Sequence, residues 1–255
     1  MPKGFLKHIN NLVNESDFII EVLDARWPEK TRNFFLEKNI REKNKQLLFV
    51  INKADLITKE DAENKKDEIE GETKCKTIFI SALEKDGINI IRKEISIAAK
   101  KKKNDLIIGI IGYPNTGKSS LINALAGKGK GRAATSRKAG LTRGLQRIKI
   151  GDGLYLIDSP GIIPQKTSEI DLFLVNSKNP NQLKDIEGTA VKVIHQIGLE
   201  KIAKRMGIAD WKEKDEEELL EAIAQKQKFF LKGAKPDTMK AARYLLEKYQ
   251  KNDFV

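Results

Sequence analysis

The sequence predicts an α/β fold built on a doubly wound, mostly parallel sheet, with an α-helical domain after it. Apolar stretches typical of buried strands alternate with helical patterns over residues 1–168. One of these stretches, residues 106–111, leads into a glycine-rich loop, and a helical pattern follows at residues 120–125. The rest of the chain has helical patterns throughout. We therefore predict two domains, residues 1–168 and 169–255.

The individual elements follow from the spacing of the apolar residues. The first predicted helix extends to Asn14 and carries Phe5, Ile9 and Leu12 at helical spacing. Strands are predicted where short, mainly apolar stretches end in polar residues. The predicted strands are residues 17–24, 46–51, 77–80 and 106–111, followed by a hairpin of residues 145–150 and 154–157. The remaining predicted helices are residues 61–69, 88–99, 120–125, 186–198, 200–206, 216–231 and 237–249.

Charge and composition limit the classes of partner and compartment. The chain has 48 Lys and Arg against 36 Asp and Glu, a net charge of +12. This excess favours a polyanionic partner such as RNA, although a solvated lysine-rich surface has the same composition. The single cysteine, Cys75, excludes an internal disulfide and fits a reducing compartment. No apolar run reaches the roughly 18 residues that span a membrane, and no signal-peptide pattern is present, so we expect a cytoplasmic protein without a membrane partner.

The glycine-rich loop has the pattern of a phosphate-binding loop. It reads Gly-Tyr-Pro-Asn-Thr-Gly-Lys-Ser from Gly112 to Ser119. Backbone N–H groups of such a loop surround phosphate oxygens, and the dipole of the following helix adds to the attraction. Lys118 would reach the β- and γ-phosphates, and the Ser119 hydroxyl would ligate Mg²⁺. The predicted nucleotide contacts of this segment are Asn115, Thr116, Gly117, Lys118, Ser119 and Ser120.

A second motif, Asn-Lys-Ala-Asp, begins at Asn52, directly after a predicted strand. The Asp55 carboxylate can accept hydrogen bonds from N1–H and the exocyclic amino group of guanine, which adenine does not offer in that arrangement. The stem of Lys53 would lie on the face of the base, while the Ala82 N–H after the next strand would reach guanine O6. These residues predict GTP or GDP as the ligand. The full set of predicted base-side contacts is Asn52, Lys53, Asp55, Ser81, Ala82 and Leu83.

The segments that would respond to the γ-phosphate come later in the chain. Residues 128–149 contain eight Lys or Arg and no acidic residue, and glycines interrupt them. We predict a loop that becomes ordered on triphosphate binding, with Thr142 contacting Mg²⁺ and the γ-phosphate and Thr135 as the other candidate. Such a loop could bind RNA phosphates in one nucleotide state, or only neutralise the bound triphosphate. In Asp-Ser-Pro-Gly, Asp158 would hold Mg²⁺ through water and the Gly161 N–H would bind the γ-phosphate.

The predicted catalytic residues are accordingly Lys118, Thr142 and Gly161, and the predicted metal ligands are Ser119, Thr142 and Asp158.

Taken together, these motifs resemble those of the translation-factor-like (TRAFAC) P-loop GTPases, in an unusual order. The base-recognition motifs precede the phosphate-binding loop, as in circularly permuted GTPases. The segment Asp24-Ala25-Arg26-x-Pro28 makes the chain similar to the YlqF/YawG group in particular. The resemblance covers about residues 15–165 and a further patch at residues 233–249. A permutation preserves the sheet, because all site-forming loops of a doubly wound fold share one edge whatever the chain order.

The resemblance also implies an activity and partners. It implies hydrolysis of GTP to GDP and phosphate, a role in assembly of the large ribosomal subunit, and binding of ribosomal RNA by the C-terminal helical domain. We expect a monomer that does not bind DNA. Many GTPases carry a catalytic glutamine where this chain has Ile162, as is typical of the group, so intrinsic hydrolysis is expected to be slow. Asn115 matches an asparagine that coordinates K⁺ in potassium-dependent relatives, whereas His8 does not match the histidine of some bacterial members.

Three functional hypotheses follow. The one we favour is a magnesium-dependent GTPase whose nucleotide state gates its binding to rRNA or the large ribosomal subunit, with hydrolysis stimulated by that particle and by K⁺. The alternative is a GTPase switch for a protein or membrane-surface partner unrelated to ribosomes, and salt-sensitive binding to ribosomal subunits would separate the two. The third is a module that uses GTP only to fold or dock, which turnover stimulated by ribosomal particles would exclude.

Overall fold

A computed structural model of the chain describes residues 3–127, 147–159, 161–163, 167–251 and 254. The chain divides into two compact units, residues 1–166 and 167–255. Within the described ranges, none of the helices is both long and apolar enough to cross a membrane.

One mixed sheet organises the first unit. Its strands are β1 Phe18–Asp24, β2 Gln46–Asn52, β3 Thr77–Ile80, β4 Leu106–Gly112, β5 Arg147–Gly151 and β6 Leu154–Asp158. Their order across the sheet is β3-β2-β1-β4-β6-β5, and neighbours are parallel except in the β5–β6 hairpin. The chain order reverses between β1 and β4, where doubly wound sheets open a crevice for ligands. The predicted α/β fold class is confirmed.

Helices cover both faces of this sheet. They are α1 Lys3–Glu15, α2 Pro28–Thr31, α3 Phe34–Glu42, α4 Lys59–Thr73, α5 Ile88–Lys100 and α6 Lys118–Ala126. All seven residues of the central strand β1 are buried. Its Phe18 and Ile20 pack in the same apolar cluster as residues of α5 and α6, whereas Ile19 packs in a cluster with residues of α1 and α3. Burial on both faces explains the nearly continuous apolar sequence of this strand.

The strand register brings five chain segments to one edge of the sheet. Asp24 at the end of β1 lies opposite Asn52 at the end of β2, and Asn52 lies opposite Ile80 at the end of β3. On the other side, Val22 pairs with Gly112 and Ile110 pairs with Asp158. Because these strands are parallel, the loops that leave their carboxyl ends start side by side.

The second unit is helical among its described residues. Its helices are α7 Glu169–Leu174, α8 Ile186–Ile197, α9 Leu199–Met206, α10 Glu216–Lys226 and α11 Thr238–Gln250. The apolar stripe of α11 is fully buried, and the hydroxyl of Tyr249 donates to the Leu174 carbonyl over 2.7 Å. This stripe therefore belongs to the core of the unit.

The fold differs in some details from the sequence expectations. The helix predicted at residues 216–231 ends at Lys226, because Lys228 adopts a left-handed backbone conformation and Phe230 pairs with Pro236 in an isolated bridge. Helix α3 was not predicted. It begins after Asn33, whose side chain accepts a hydrogen bond from the Leu36 N–H and so caps the helix.

Candidate functional site

The loop between β4 and α6 has the tight geometry that phosphate binding requires. Gly112 and Gly117 both have positive φ angles, of 148° and 93°. A Cβ atom on Gly112 would lie 2.5 Å from the Val22 carbonyl oxygen, and one on Gly117 would lie 2.1 Å from Asn52 Nδ2. A side chain at either position would force the loop away from its neighbours, so glycine is needed at both.

Lys118, the first residue of α6, folds back over this loop. Its buried Nζ donates to the carbonyl oxygens of Gly112 at 3.0 Å and Tyr113 at 2.6 Å. Burial lowers the pKa of Lys118 to about 8, although the charge of Asp158 acts in the opposite direction. The ammonium group thus lies within the loop, where a bound anion would stabilise its charge.

Asp158 and Ser159 follow strand β6 at the same edge. Both Asp158 Oδ1 and Ser159 Oγ are buried and lack a hydrogen-bond partner among the described residues. Burial raises the pKa of Asp158, and the charge of Lys118 partly opposes that shift. An unpartnered buried carboxylate oxygen fits a hydrated cation, which would supply the missing hydrogen bonds.

The remaining oxygen ligands for such a cation are few. In the described part of the chain, no group of three or more His, Cys, Asp or Glu could hold a metal. The Ser119 hydroxyl belongs to an exposed residue at the start of α6. The donor set of one carboxylate and one hydroxyl fits Mg²⁺ only with phosphate oxygens and water completing its shell, as Mg²⁺ commonly binds beside nucleotides.

Asn52 joins the phosphate-binding loop to the base-side loop. Its Nδ2 donates to the Thr116 carbonyl at 2.8 Å, and its Oδ1 accepts from the Ala82 N–H at 2.9 Å. The Ala82 N–H, which the sequence assigned to guanine O6, is therefore already hydrogen-bonded. The next N–H, that of Leu83, makes no hydrogen bond among the described residues, and its residue is 77% exposed. The N–H groups of Ala82 and Leu83 are both candidates to donate to a base carbonyl. The Ala82 N–H could do so only in a bifurcated hydrogen bond, because it already donates to Asn52 Oδ1.

Lys53 and Asp55 lie just beyond Asn52. Lys53 has a left-handed backbone with φ 67°, and its Nζ donates to Asp24 Oδ2 at 2.7 Å. Asp55 is the second residue of a short 3₁₀ turn, Ala54–Leu56, and is exposed. Its carboxylate has neither a hydrogen bond nor an ion pair within the described ranges, so it is available to a ligand.

Asp24 and Arg26 lie beside the base-side motif, although in the sequence they served only as a family marker. Asp24 is fully buried, and Arg26 binds it through Nε at 3.0 Å and Nη2 at 2.8 Å. The sequence did contain a signal for this ion pair, because the opposite charges of Asp24 and Arg26 stand two residues apart at the end of an apolar strand. The contact of Asp24 with Lys53 is long-range and could not be read from the sequence.

The segment after Asp158 returns to the phosphate-binding loop. A Cβ atom on Gly161 would lie 2.9 Å from both the N and the Cα of Pro114, so the two backbones are in close contact. The Ile162 N–H donates to the Gly112 carbonyl at 3.1 Å, and its side chain is buried in the cluster that contains Ile111. Ile162 thus anchors the segment and presents no side chain to the site.

The other predicted contacts are divided between described and undescribed segments. Thr116 is buried, whereas Asn115, Ser119 and Ser120 are exposed along the same loop and helix start. Ser81 is buried beside Ala82. The two switch candidates, Thr142 and Thr135, lie outside the described residues, as does most of the basic segment 128–149.

Two family models match the chain. The model described as RsgA GTPase matches residues 24–168, and that described as 50S ribosome-binding GTPase matches residues 107–232. The first spans the base-side motifs and the phosphate-binding loop together, in the order in which this chain carries them.

Curated relatives extend over most of the chain. An uncharacterized GTP-binding protein of Methanocaldococcus jannaschii is 39% identical over 96% of this chain and 64% of its own length. GTPase grn1 of Schizosaccharomyces pombe is 35% identical over 72% of this chain and 44% of its own. Nuclear/nucleolar GTPase 2 of Arabidopsis thaliana is 29% identical over 94% of this chain and 42% of its own length. The chain thus spans less than two thirds of the length of each of these relatives.

Solved structures agree in fold. GNP-bound YlqF from T. maritima matches with a TM-score of 0.66 at 23% identity, covering 98% of this chain and 95% of that one. A GDP-bound structure of YlqF matches with the same TM-score at 24% identity. At these identities the likeness establishes the shared fold.

Proposed function

The chain belongs to the circularly permuted GTPases of the RsgA GTPase family, and on that basis we propose that it binds GTP and GDP and hydrolyses GTP to GDP and phosphate. The observation that carries this proposal is the bridge formed by Asn52. One side chain holds the phosphate-binding loop at the Thr116 carbonyl and the base-side loop at the Ala82 N–H. A single nucleotide would therefore contact both loops at once.

The base side supplies the specificity. The exposed Asp55 carboxylate, without a partner in the described structure, would accept from N1–H and the 2-amino group of guanine. The N–H groups of Ala82 and Leu83 are the candidates for guanine O6. An adenine in this position would leave the carboxylate facing a base that cannot donate both hydrogen bonds, which costs about 1–3 kcal/mol for each unpaired polar group.

The phosphate side supplies the charge. Lys118 would exchange the carbonyls of Gly112 and Tyr113 for phosphate oxygens, and in doing so its ammonium would regain a charged partner. The Gly161 N–H would donate to the γ-phosphate. Among the described residues, Ser119 and Asp158 would hold Mg²⁺, and a bound Mg²⁺ neutralises charge that develops on the transferred phosphate.

Hydrolysis by the isolated protein should be slow. The Ile162 side chain is 1% exposed in an apolar cluster, so it cannot orient the attacking water as a glutamine does in other GTPases. We also propose a K⁺ ion near Asn115, which is exposed and has φ 61°. This ion would stabilise the β,γ-bridge of the triphosphate. Thr142, as the switch threonine, completes the proposed catalytic set with Lys118 and Gly161.

The nucleotide assignment is tested by a change of base preference. Asp55→Asn should bind xanthosine diphosphate (XDP) in preference to GDP. The new amide can donate to the carbonyl oxygen that xanthine carries in place of the 2-amino group of guanine. Equilibrium titrations of GDP, XDP and ADP would measure this, with Asp67→Asn as the matched control at an exposed carboxylate. An Asp55→Asn protein that keeps the wild-type preference for GDP would refute the base assignment.

We further propose that the GTP-bound protein binds rRNA of the large ribosomal subunit, as a monomer in the cytoplasm, and leaves after hydrolysis. The description of one matching family as 50S ribosome-binding GTPase supports the proposed binding to the large subunit. The net charge of +12 supports a polyanionic partner. Subunit-stimulated GTP turnover is the expected consequence, and a GTPase rate that is the same with and without large subunits would argue against it.

A further inference from the structure

The carboxylate of Asp24 is saturated with hydrogen bonds from two cations. Its Oδ1 accepts from the Arg26 backbone N–H at 3.1 Å and from Arg26 Nε at 3.0 Å. Its Oδ2 accepts from Arg26 Nη2 at 2.8 Å and from Lys53 Nζ at 2.7 Å. Burial alone would raise the pKa of Asp24, but the hydrogen bonds and charges of Arg26 and Lys53 outweigh it and hold the pKa below its usual value.

This cluster is fixed to the base-side loop by the backbone as well. Asp24 lies opposite Asn52 in the parallel pairing of β1 and β2, and the Ala25 N–H donates to the Asn52 carbonyl at 2.8 Å. The next residue, Lys53, has φ 67° and ψ 36°, a conformation that residues with a side chain rarely adopt. Its side chain therefore leaves the loop toward β1, against a carboxylate that is 0% exposed.

Lys53 and Asp55 belong to the same base-side loop, so the position of the Lys53 ammonium affects the charge near Asp55. The two residues are only two apart, and the Lys53 side chain is flexible in the absence of a partner. An ammonium held on Asp24 cannot neutralise the Asp55 carboxylate. Released from Asp24, it would compete with the N1–H and amino group of the base for the same oxygens.

We propose that Asp24, clamped by Arg26, is a positioning residue for guanine specificity, holding the Lys53 ammonium so that its stem lies along the base and Asp55 stays open. This inference rests on the proposed guanine-nucleotide function and adds residues that touch neither base nor phosphate. Arg26 contributes by fixing both oxygens of the carboxylate, so that only one direction remains for Lys53.

A double-mutant cycle separates positioning from simple structural support. Asp24→Asn, Lys53→Met and the double variant would be compared for the dissociation constants of GDP and ADP. We expect Asp24→Asn to weaken GDP binding more than ADP binding and so to lower the preference for GDP over ADP about tenfold, since ADP does not use the hydrogen bonds of Asp55. In the Lys53→Met protein the same change should have no further effect. Asp67→Asn, which removes an exposed carboxylate 3.6 Å from Lys66, should leave the preference unchanged.

Three results of these binding measurements would overturn the proposal. Equal weakening of GDP and ADP by Asp24→Asn would indicate a structural role only, and additive effects of Asp24→Asn and Lys53→Met would show that they act independently. A wild-type protein without preference for GDP over ADP would overturn the proposed function itself, and this inference with it.

A measurement on the wild-type chain covers the case in which Asp24→Asn fails to fold. An ammonium that donates at 2.7 Å to a buried carboxylate should exchange its protons more slowly than that of a solvated lysine, which would make its NMR signal detectable. We expect a lysine Nζ signal at neutral pH that is absent from Lys53→Met. If no signal is lost in that variant, Lys53 is not held on Asp24 and the proposal falls.

Discussion

The bridge formed by Asn52 gives the most quantitative prediction. Asn52→Ala removes the hydrogen bond to the Thr116 carbonyl and the one from the Ala82 N–H. Thr116 is 0% exposed and Ala82 is 6% exposed, so water cannot readily replace either partner. An unsatisfied buried backbone group costs about 1–3 kcal/mol. Two such groups, with some relaxation of the loops, should lower the free energy of unfolding by about 2–4 kcal/mol.

Urea unfolding of the nucleotide-free protein would measure this loss. The chain has two tryptophans, Trp27 in the first unit and Trp211 in the second. In a Trp211→Phe background, tryptophan emission reports on the first unit alone, which keeps the two-state treatment applicable to one unit. Asn64→Ala, at an exposed position of α4, is the matched control and should change the free energy by less than about 0.5 kcal/mol.

The same variant should weaken GDP binding. If the two loops are no longer held in register, ordering them becomes part of binding, and a cost of about 1.4 kcal/mol corresponds to a tenfold higher dissociation constant. An Asn52→Ala protein as stable as the Asn64→Ala control would refute the view that this side chain ties the two loops together.

Three further predictions concern single residues. Lys118→Ala should abolish measurable GTP binding, and titration that still shows tight binding would contradict the phosphate-loop assignment. Replacing Na⁺ by K⁺ should raise GTP turnover in the wild type but not in Asn115→Ala, whereas equal rates in both salts would argue against a K⁺ site. Burial, and then the charge of Glu37, raise the pKa of Glu21 well above its usual value, so the folded protein keeps a proton that the unfolded chain releases. Stability from this group is therefore lost as pH rises above about 4.3, so in urea unfolding Glu21→Gln should gain stability relative to wild type as pH rises from there, while a pH-independent difference would contradict the assignment.

Much of the fold could be predicted because its patterns are local. Strand β3 begins and ends at the predicted residues, since Thr77 follows polar residues and its short apolar run ends at Ser81. Helix α3 was missed because Phe34 and Phe35 are 57% and 60% exposed, so the apolar spacing does not describe its buried face. Its only clear sequence signal was the cap at Asn33.

The end of α10 was misjudged for a related reason. Apolar residues continue after Lys226, so the sequence pattern predicts a helix that extends through them. In the structure Phe230 and Leu231 are 50% and 56% exposed, on a turn that starts where Lys228 leaves the helical conformation. Apolar character predicts burial on average, but it does not place a helix end that depends on one backbone torsion.

The site residues were predictable where a motif fixes their chemistry. Each half of the nucleotide site has its own short motif, so residues such as Lys118 and Asp55 could be assigned from sequence to phosphate and base. The sequence did not predict that Asn52 occupies the Ala82 N–H or that Lys53 contacts Asp24. Those contacts join residues about thirty positions apart, and only the parallel register of β1, β2 and β3 brings them together.

The most direct test of the proposed function is sedimentation of the purified protein with ribosomal subunits. The protein would be mixed with large or small subunits in the presence of a GTP analogue, GDP or no nucleotide, over a series of salt concentrations. We expect the protein to pellet with the large subunit in the analogue state, to be released by GDP, and to bind less as salt increases. Pelleting that is independent of nucleotide, or no pelleting in any state, would contradict a nucleotide-gated role on the ribosome.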